Sequence, residues 1–297
     1  MIQGLQPLRP DDRDLHLGSI IDLPKVVPDF FLDGGWADKI QEEDDCSAFA
    51  VILARELREN VELDREFQFA AMKSLSGDPE TYGGDLREAL SIPVKIGAIR
   101  LSDRPESCKG KPLSFLRYIA NWGIVASLME IAWGRRAKSY VFVRPTQGMD
   151  AFDTIAATQY FWLLKGEKRA IPFGTFWDWS LNDYVIEKWT GRGNGHAMSY
   201  RGKLTLNGVA YLVVQQNYGT SAGQNGLHLF SRGVVNASEA IFGAGMFTSF
   251  TPDELRTMIA NGYKLDGSVA KPIIFALWQM IADLLAKLKN HVSGIFA

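Results

Sequence analysis

The sequence predicts an α+β fold in which a helical first half precedes a sheet-rich second half. Three observations carry this. Apolar residues recur at helical spacing from Cys46 to about residue 90 and again over 114–131. From Ser139 to Phe230, β-branched and aromatic runs punctuated by glycine dominate. The last fifty residues return to helical patterning behind a strong helix-opening signal.

Taken in order, residues 1 to about 35 are rich in Pro, Asp and Gly and read as an extended arm. A helix begins near Cys46, with Ala48, Phe49, Val51, Ile52, Ala54 and Leu57 on its apolar stripe. A second runs from about Asp64 to Leu75, and a short third from Asp85 to Leu90, separated by the turn signals Gly77-Asp78-Pro79 and Tyr82-Gly83-Gly84. A polar loop over 104–112 holds Cys108. After the helical stretch 114–131, strands are predicted at 140–143, 170–174, 196–200, 208–215 and 226–230, with a helix over Ala151–Leu164. Thr251-Pro252-Asp253-Glu254 is a capping box with Pro in the first turn. A final helix is expected over 272–289, with Ile274, Leu277, Ile281, Leu284, Leu285 and Leu288 on one face and Asp283–Lys287 as an i,i+4 pair.

A chain of 297 residues is long enough for one large domain or two lobes around a cleft, and 46% hydrophobic content supplies a sizeable core. The net charge of −2, with both signs interspersed, excludes nucleic acid as the main partner, which would require a basic stripe. Two cysteines, Cys46 and Cys108, make no disulfide framework, and no further metal ligands cluster near either. A reducing compartment, or a particle assembled in one, fits. Met1 to Pro7 lacks a basic start and an apolar run, so no signal peptide is predicted. The apolar stretch Pro272–Ala282 is too short to span a bilayer.

Chemistry concentrates in two distant segments. Asp44-Asp45-Cys46-Ser47-Ala48-Phe49-Ala50 places a thiol at a helix start, where unpaired N–H groups and the helix dipole favour a thiolate. Gly195-His196-Ala197 and Gln216-Asn217-Tyr218-Gly219-Thr220 supply an imidazole and side-chain amides at strand edges. A thiol, an imidazole and an orienting amide are the parts of a cysteine nucleophile, with a cleft between a helical lobe and a sheet lobe. Asp44 and Asp45 oppose the thiolate by like charge.

These segments resemble the papain family of cysteine peptidases, in particular its bacterial and viral branch, over roughly Asp22 to Asn236. Cys46-Ser47-Ala48-Phe49-Ala50 is similar to the family's Cys-x-Ala-Phe helix start, and Gly83-Gly84 to its substrate-binding turn. Gly195-His196-Ala197 resembles the catalytic His motif. The run Tyr211 to Gly226 is similar to the family's strand followed by Asn-Ser-Trp-Gly-Thr-x-Trp-Gly-x-x-Gly, and is the most specific match. Ungapped, Gln216 stands where the family has its orienting Asn; a one-residue shift puts Asn217 there. Tyr218 replaces the Trp that shields the His–amide bond. Ile40 stands at the spacing of the oxyanion Gln, and Gln41 is one later.

The resemblance implies a two-lobed fold, a helical lobe plus an antiparallel β-barrel-like lobe, over 36–245; the arm 1–35 precedes it, and a helical extension over 246–297, outside the resemblance, follows. It implies peptide-bond hydrolysis through Cys46, His196 and Gln216 or Asn217, with the Cys46 N–H and Gln41 at the oxyanion. Gly83, Gly84, Gly195, Tyr218 and Trp177 would line the substrate cleft, and no metal or organic cofactor is required. Two other readings accompany it: an inert papain-like assembly subunit of a phage or bacterial particle, and an amidase acting on cell-wall amides. A protein partner would dock on the 272–289 helix through Phe275, Leu277 and Trp278. With Cys46 this near the start, no large inhibitory segment is expected to precede it.

Overall fold

The computed structural model describes residues 5–8, 11, 14, 16, 21–35, 40, 41, 45–76, 84–104, 122–146 and 148–260. Gly83, Asp44, Cys108, the turn 77–79, the first part of the predicted helix 114–131 and the whole of the predicted helix 272–289, with Phe275, Leu277 and Trp278, lie outside them.

After a short strand β1 (Phe30–Phe31) come helices α1 (Cys46–Glu59), α2 (Arg65–Ser76), α3 (Leu86–Lys95) and α4 (Trp122–Trp133). The expected β-rich region then gives β2 (Ser139–Phe142), β3 (Ile171–Trp177), β4 (Val185–Ile186), β5 (Asn194–Leu206), β6 (Val209–Gln215), β7 (Leu227–Ser231) and β8 (Gly245–Thr248). Within it lie α5 (Ala151–Leu163) and α6 (Arg232–Phe242), and α7 (Pro252–Ala260) follows. The capping box is present: Thr251 Oγ1 accepts from the Glu254 N–H at 3.3 Å, and Glu254 Oε2 accepts from the Thr251 N–H at 2.6 Å.

The main sheet runs β1-β5-β6-β7-β4, with β3 pairing on β5. Its pairs are antiparallel except β4–β7, which is parallel. Among the described residues the sheet stays open, so the expected barrel-like lobe is an unclosed one. Helix α6, which sequence periodicity did not single out, packs on β3 and buries Val234, Val235 and Phe242. Inside the sheet lobe Phe173 stacks on Tyr200 with centroids 3.7 Å apart, beside Phe152, Leu212 and Phe230. Phe67, Met72, Leu86, Leu90 and Ile92 form the helical core.

Helix α1 runs between these cores, and every residue from Cys46 to Leu57 is buried. That includes Arg55 and Glu56, so their charges require partners. Glu56 Oε2 meets Arg65 Nη2 at 2.8 Å, and its Oε1 accepts from the Leu63 N–H at 2.9 Å. Arg55 Nη2 donates to the Arg135 carbonyl at 2.9 Å. These bonds fix the axial position of α1, and with it the thiol at its first residue.

The arm is an integral part of the fold. A register shift in β5 between Tyr200 and Gly202 turns Arg201 inward. Its guanidinium donates to the carbonyls of Leu32 and Gly34 and to the Gln215 amide oxygen. Burial lowers the Arg201 pKa to about 10, which still leaves it charged at neutral pH.

Arg65→Met removes a buried countercharge from Glu56 and is expected to lower the unfolding free energy by about 3–5 kcal/mol, read from urea denaturation. The double variant with Glu56→Leu recovers only part of this, because the Leu63 N–H loses its acceptor.

Candidate active site

Cys46 opens α1. Asp45 before it gives its carbonyl to the Phe49 N–H at 3.0 Å, but its side chain makes no capping hydrogen bond. Strand β5 faces this helix and carries His196. Two side chains join them. Ser199 Oγ donates to the Ala50 carbonyl at 2.9 Å. Asn217 Nδ2 donates to the carbonyls of both Cys46, at 3.2 Å, and Ala197, at 2.8 Å. A single nitrogen bridging those two carbonyls makes the backbone of the thiol residue and that of the residue after His196 neighbours.

The amide that meets the imidazole is Gln216: its Oε1 lies 3.2 Å from His196 Nε2. The same Oε1 accepts the Asn217 backbone N–H at 3.0 Å. A backbone N–H can only donate, so this atom is the amide oxygen, and His196 Nε2 must carry the proton toward it. Nδ1 is then the bare nitrogen, able to accept a proton. Of the two amides left open by the sequence, Gln216 contacts the ring and Asn217 joins helix to strand.

His196 is buried, and desolvation is the main cause that lowers its pKa. The Gln216 bond raises it in part, nearby His228 lowers it further, and the result is about 4. At neutral pH the ring is neutral.

Aromatic groups wall the pair. Tyr218 stacks on His196, 5.2 Å between centroids and 10° between planes, in the place where a shielding ring was expected. Trp177 on β3 presents an edge contact at 5.8 Å. It also contacts His228, at 5.2 Å. His228 is a fully buried strand residue whose Nδ1 donates to the Asp183 carbonyl at 2.5 Å; burial lowers its pKa too. The sequence did not point to a second imidazole here.

Gln41 lies beside this cluster. Its N–H donates to the Asn217 carbonyl at 2.6 Å, and Ile40 forms a bridge with Tyr218. Gly84 precedes α3, and Gly195 precedes His196 on β5. Both carbonyls receive N–H groups from residues 5 and 6, at 2.8 Å from Leu5 to Gly195 and 3.1 Å from Gln6 to Gly84. Nothing in the composition of the arm signals that contact.

The architecture is that of the papain-like cysteine proteases. Xylellain, a cysteine protease from Xylella fastidiosa, superposes with a TM-score of 0.62 at 13% identity, over 84% of this chain and 96% of that one. Digestive procathepsin L 3 of Tenebrio molitor larval midgut gives 0.53 at 13%, over 83% and 76%. Bromelain from Ananas comosus, solved with the E64 inhibitor, gives 0.52 at 15%, over 76% and 99%. No protein-family model matches the sequence, and no curated protein does. The resemblance read from scattered motifs therefore holds at the level of fold. Among the described residues no helix is long and apolar enough to cross a membrane.

The pH dependence of stability follows from His196. Its folded pKa of about 4 lies below the usual value of 6.5. Between those values the unfolded chain binds more protons than the folded one, so stability rises with pH. Its contribution is complete above pH 6.5 and is lost as pH falls toward 4. His228 acts in the same direction. Urea midpoints between pH 7.5 and 4 are expected to fall steadily, with a shallower fall in His196→Gln.

Proposed function

We propose that the protein hydrolyses peptide bonds with Cys46 as nucleophile. The observation that carries this reading is the His196 Nε2–Gln216 Oε1 bond. It leaves a neutral imidazole with a bare Nδ1 on the strand tied to the first residue of α1.

In the first step Nδ1 takes the proton of the Cys46 thiol as the sulfur attacks the peptide carbonyl carbon. The oxygen becomes an oxyanion, held by the Cys46 backbone N–H at the helix start and the Gln41 side-chain amide. Collapse of the tetrahedral species breaks the C–N bond, and the imidazolium gives its proton to the leaving amine. Water, deprotonated by Nδ1, then attacks the thioester carbonyl. The acid product leaves, and the proton returns to sulfur. Gln216 keeps Nε2–H directed away from the reacting atoms throughout, and Tyr218 and Trp177 keep water off that bond. Burial disfavours the imidazolium in the resting site, so it is stable only while the sulfur or the oxyanion carries the matching negative charge.

The reading is tested by peptide turnover. Cys46→Ala is expected to reduce hydrolysis of an unstructured protein substrate to background. Gln216→Ala is expected to lower kcat/KM by about 10²-fold, the scale of a misaligned catalytic group. Alkylation of Cys46 by iodoacetamide in a Cys108→Ser background is expected to depend on His196 as general base, its rate at neutral pH falling in His196→Ala. An ordinary thiol titration, unchanged in His196→Ala, overturns the peptidase reading in favour of an inert assembly subunit. Release of peptidoglycan fragments without protein cleavage redirects it to a cell-wall amidase.

A further inference from the structure

Strand β7 carries an imidazole that the mechanism above does not use. His228 is fully buried and stands opposite Val214 of β6. Alternation along the strand puts it on the sheet face of Phe230, whereas Leu229 points the other way and packs with Tyr184 and Tyr211. Because a carbonyl only accepts, the bond to Asp183 places the proton of the neutral ring on Nδ1. Nε2 is buried and bonds no described residue. Burying a bare polar nitrogen is costly. Leucine or phenylalanine would fill the place without that cost, so packing alone does not account for the ring.

The ring is fitted on three sides. The Asp183 carbonyl holds one edge. Gly223, in the loop after Gln216, leaves room on a second: a Cβ there would stand 2.9 Å from His228 Cε1 and 3.0 Å from its Nδ1. Trp177 of β3 lies on the third, 5.2 Å between centroids and 73° between planes. The same indole meets His196 at 5.8 Å and 69°. Trp179, whose Nε1 donates to the Lys188 carbonyl at 2.9 Å, closes on Trp177 at 5.2 Å. Strand pairing sets the Trp177 backbone opposite Asn194, and these neighbouring rings orient the indole. One side chain thus touches both imidazoles.

We propose that His228 is a positioning residue: its ring holds Trp177 in edge contact with His196, and the proton it takes up in acid opposes a second charge on His196. The role rests on the peptidase reading for its use, but not for its measurement. Asp183 is the carboxylate that acts on His228 and favours its protonation, against burial. Around His196, the loop after β6 brings the Tyr218 phenol, and α1, packed on β5, brings the Cys46 thiol and the Asp45 carboxyl to its start. Burial is the main cause of the low His196 pKa, and His228 adds to it. A charged His228 makes protonation of its neighbour costlier, so His196 stays a bare base further into acid than burial alone would keep it.

The test separates ring from charge in the full chain. His228→Phe keeps an edge against Trp177 and removes the titrating group. His228→Asn keeps a donor for the Asp183 carbonyl and removes both ring and charge; His228→Gln takes its place if it does not fold. By NMR of the histidine-labelled protein, with His196→Gln as assignment, His196 is expected to titrate near 4 in the parent and at higher pH in both variants. Alkylation of Cys46 by iodoacetamide at neutral pH, in Cys108→Ser, is expected to stay within about twofold in His228→Phe and to fall about tenfold in His228→Asn, as for a misplaced general base. If the ring acts through Trp177, the fall does not add to that of Trp177→Leu. A His196 midpoint unmoved in both variants, or equal alkylation losses in His228→Phe and His228→Asn, overturns the proposal. Peptide turnover that needs Cys46 and His196 but ignores His228→Asn keeps the peptidase and overturns this role. Absent turnover beside a raised His196 midpoint and ring-dependent alkylation keeps the role and overturns the peptidase.

Discussion

Two adjacent amides hold the centre of this molecule together. Asn217 spans the carbonyls of Cys46 and Ala197, and Gln216 takes the imidazole of His196. They divide two tasks, one fixing the distance between the lobes and the other fixing the tautomer of a ring. The division is enforced by a third bond, from the Asn217 N–H to Gln216 Oε1, which settles which end of the Gln216 amide faces the ring. Because these groups are buried, each bond forgone would leave a desolvated polar atom, and the arrangement has few alternatives. The long helix behind the thiol, the bulged strand behind the imidazole and the arm held by Arg201 all serve to bring those amides into register.

How much of this was legible in the sequence depends on the range of each interaction. Helix α1 and the capping box of α7 announce themselves through local periodicity and short-range side-chain chemistry. So does the motif order from Cys46 to His196 to Gln216. The register of Tyr218, Gly219, Thr220, Gly223 and Gly226 favours Gln216 over Asn217, but both offer the same amide oxygen, and only the folded backbone decides which faces the ring. That the barrel-like lobe stays unclosed among the described residues is likewise a property of pairing between distant segments. Helix α6 was overlooked because Asn236 and Glu239 stand among small residues, which reads as a loop until Val234, Val235, Ser238 and Phe242 are seen to share a buried side.

The contacts of residues 5 and 6 were the least legible of all. They rest on main-chain N–H groups, which every residue except proline possesses, and on the side chain that Gly195 lacks, where a Cβ would stand 1.7 Å from the Leu5 carbonyl oxygen. An absent Cβ leaves no mark of its purpose in a sequence; only the atoms that occupy its place show what the gap is for.

The covering of the thiol has a chemical corollary. Oxidants such as peroxide act on cysteine sulfur in proportion to its exposure and thiolate character, and carry it through sulfenic to irreversible sulfinic and sulfonic acids. A sulfur only 1% exposed is poor in the first respect. The same packing that buries Cys46 therefore slows its oxidation and keeps the sulfur in reduced form.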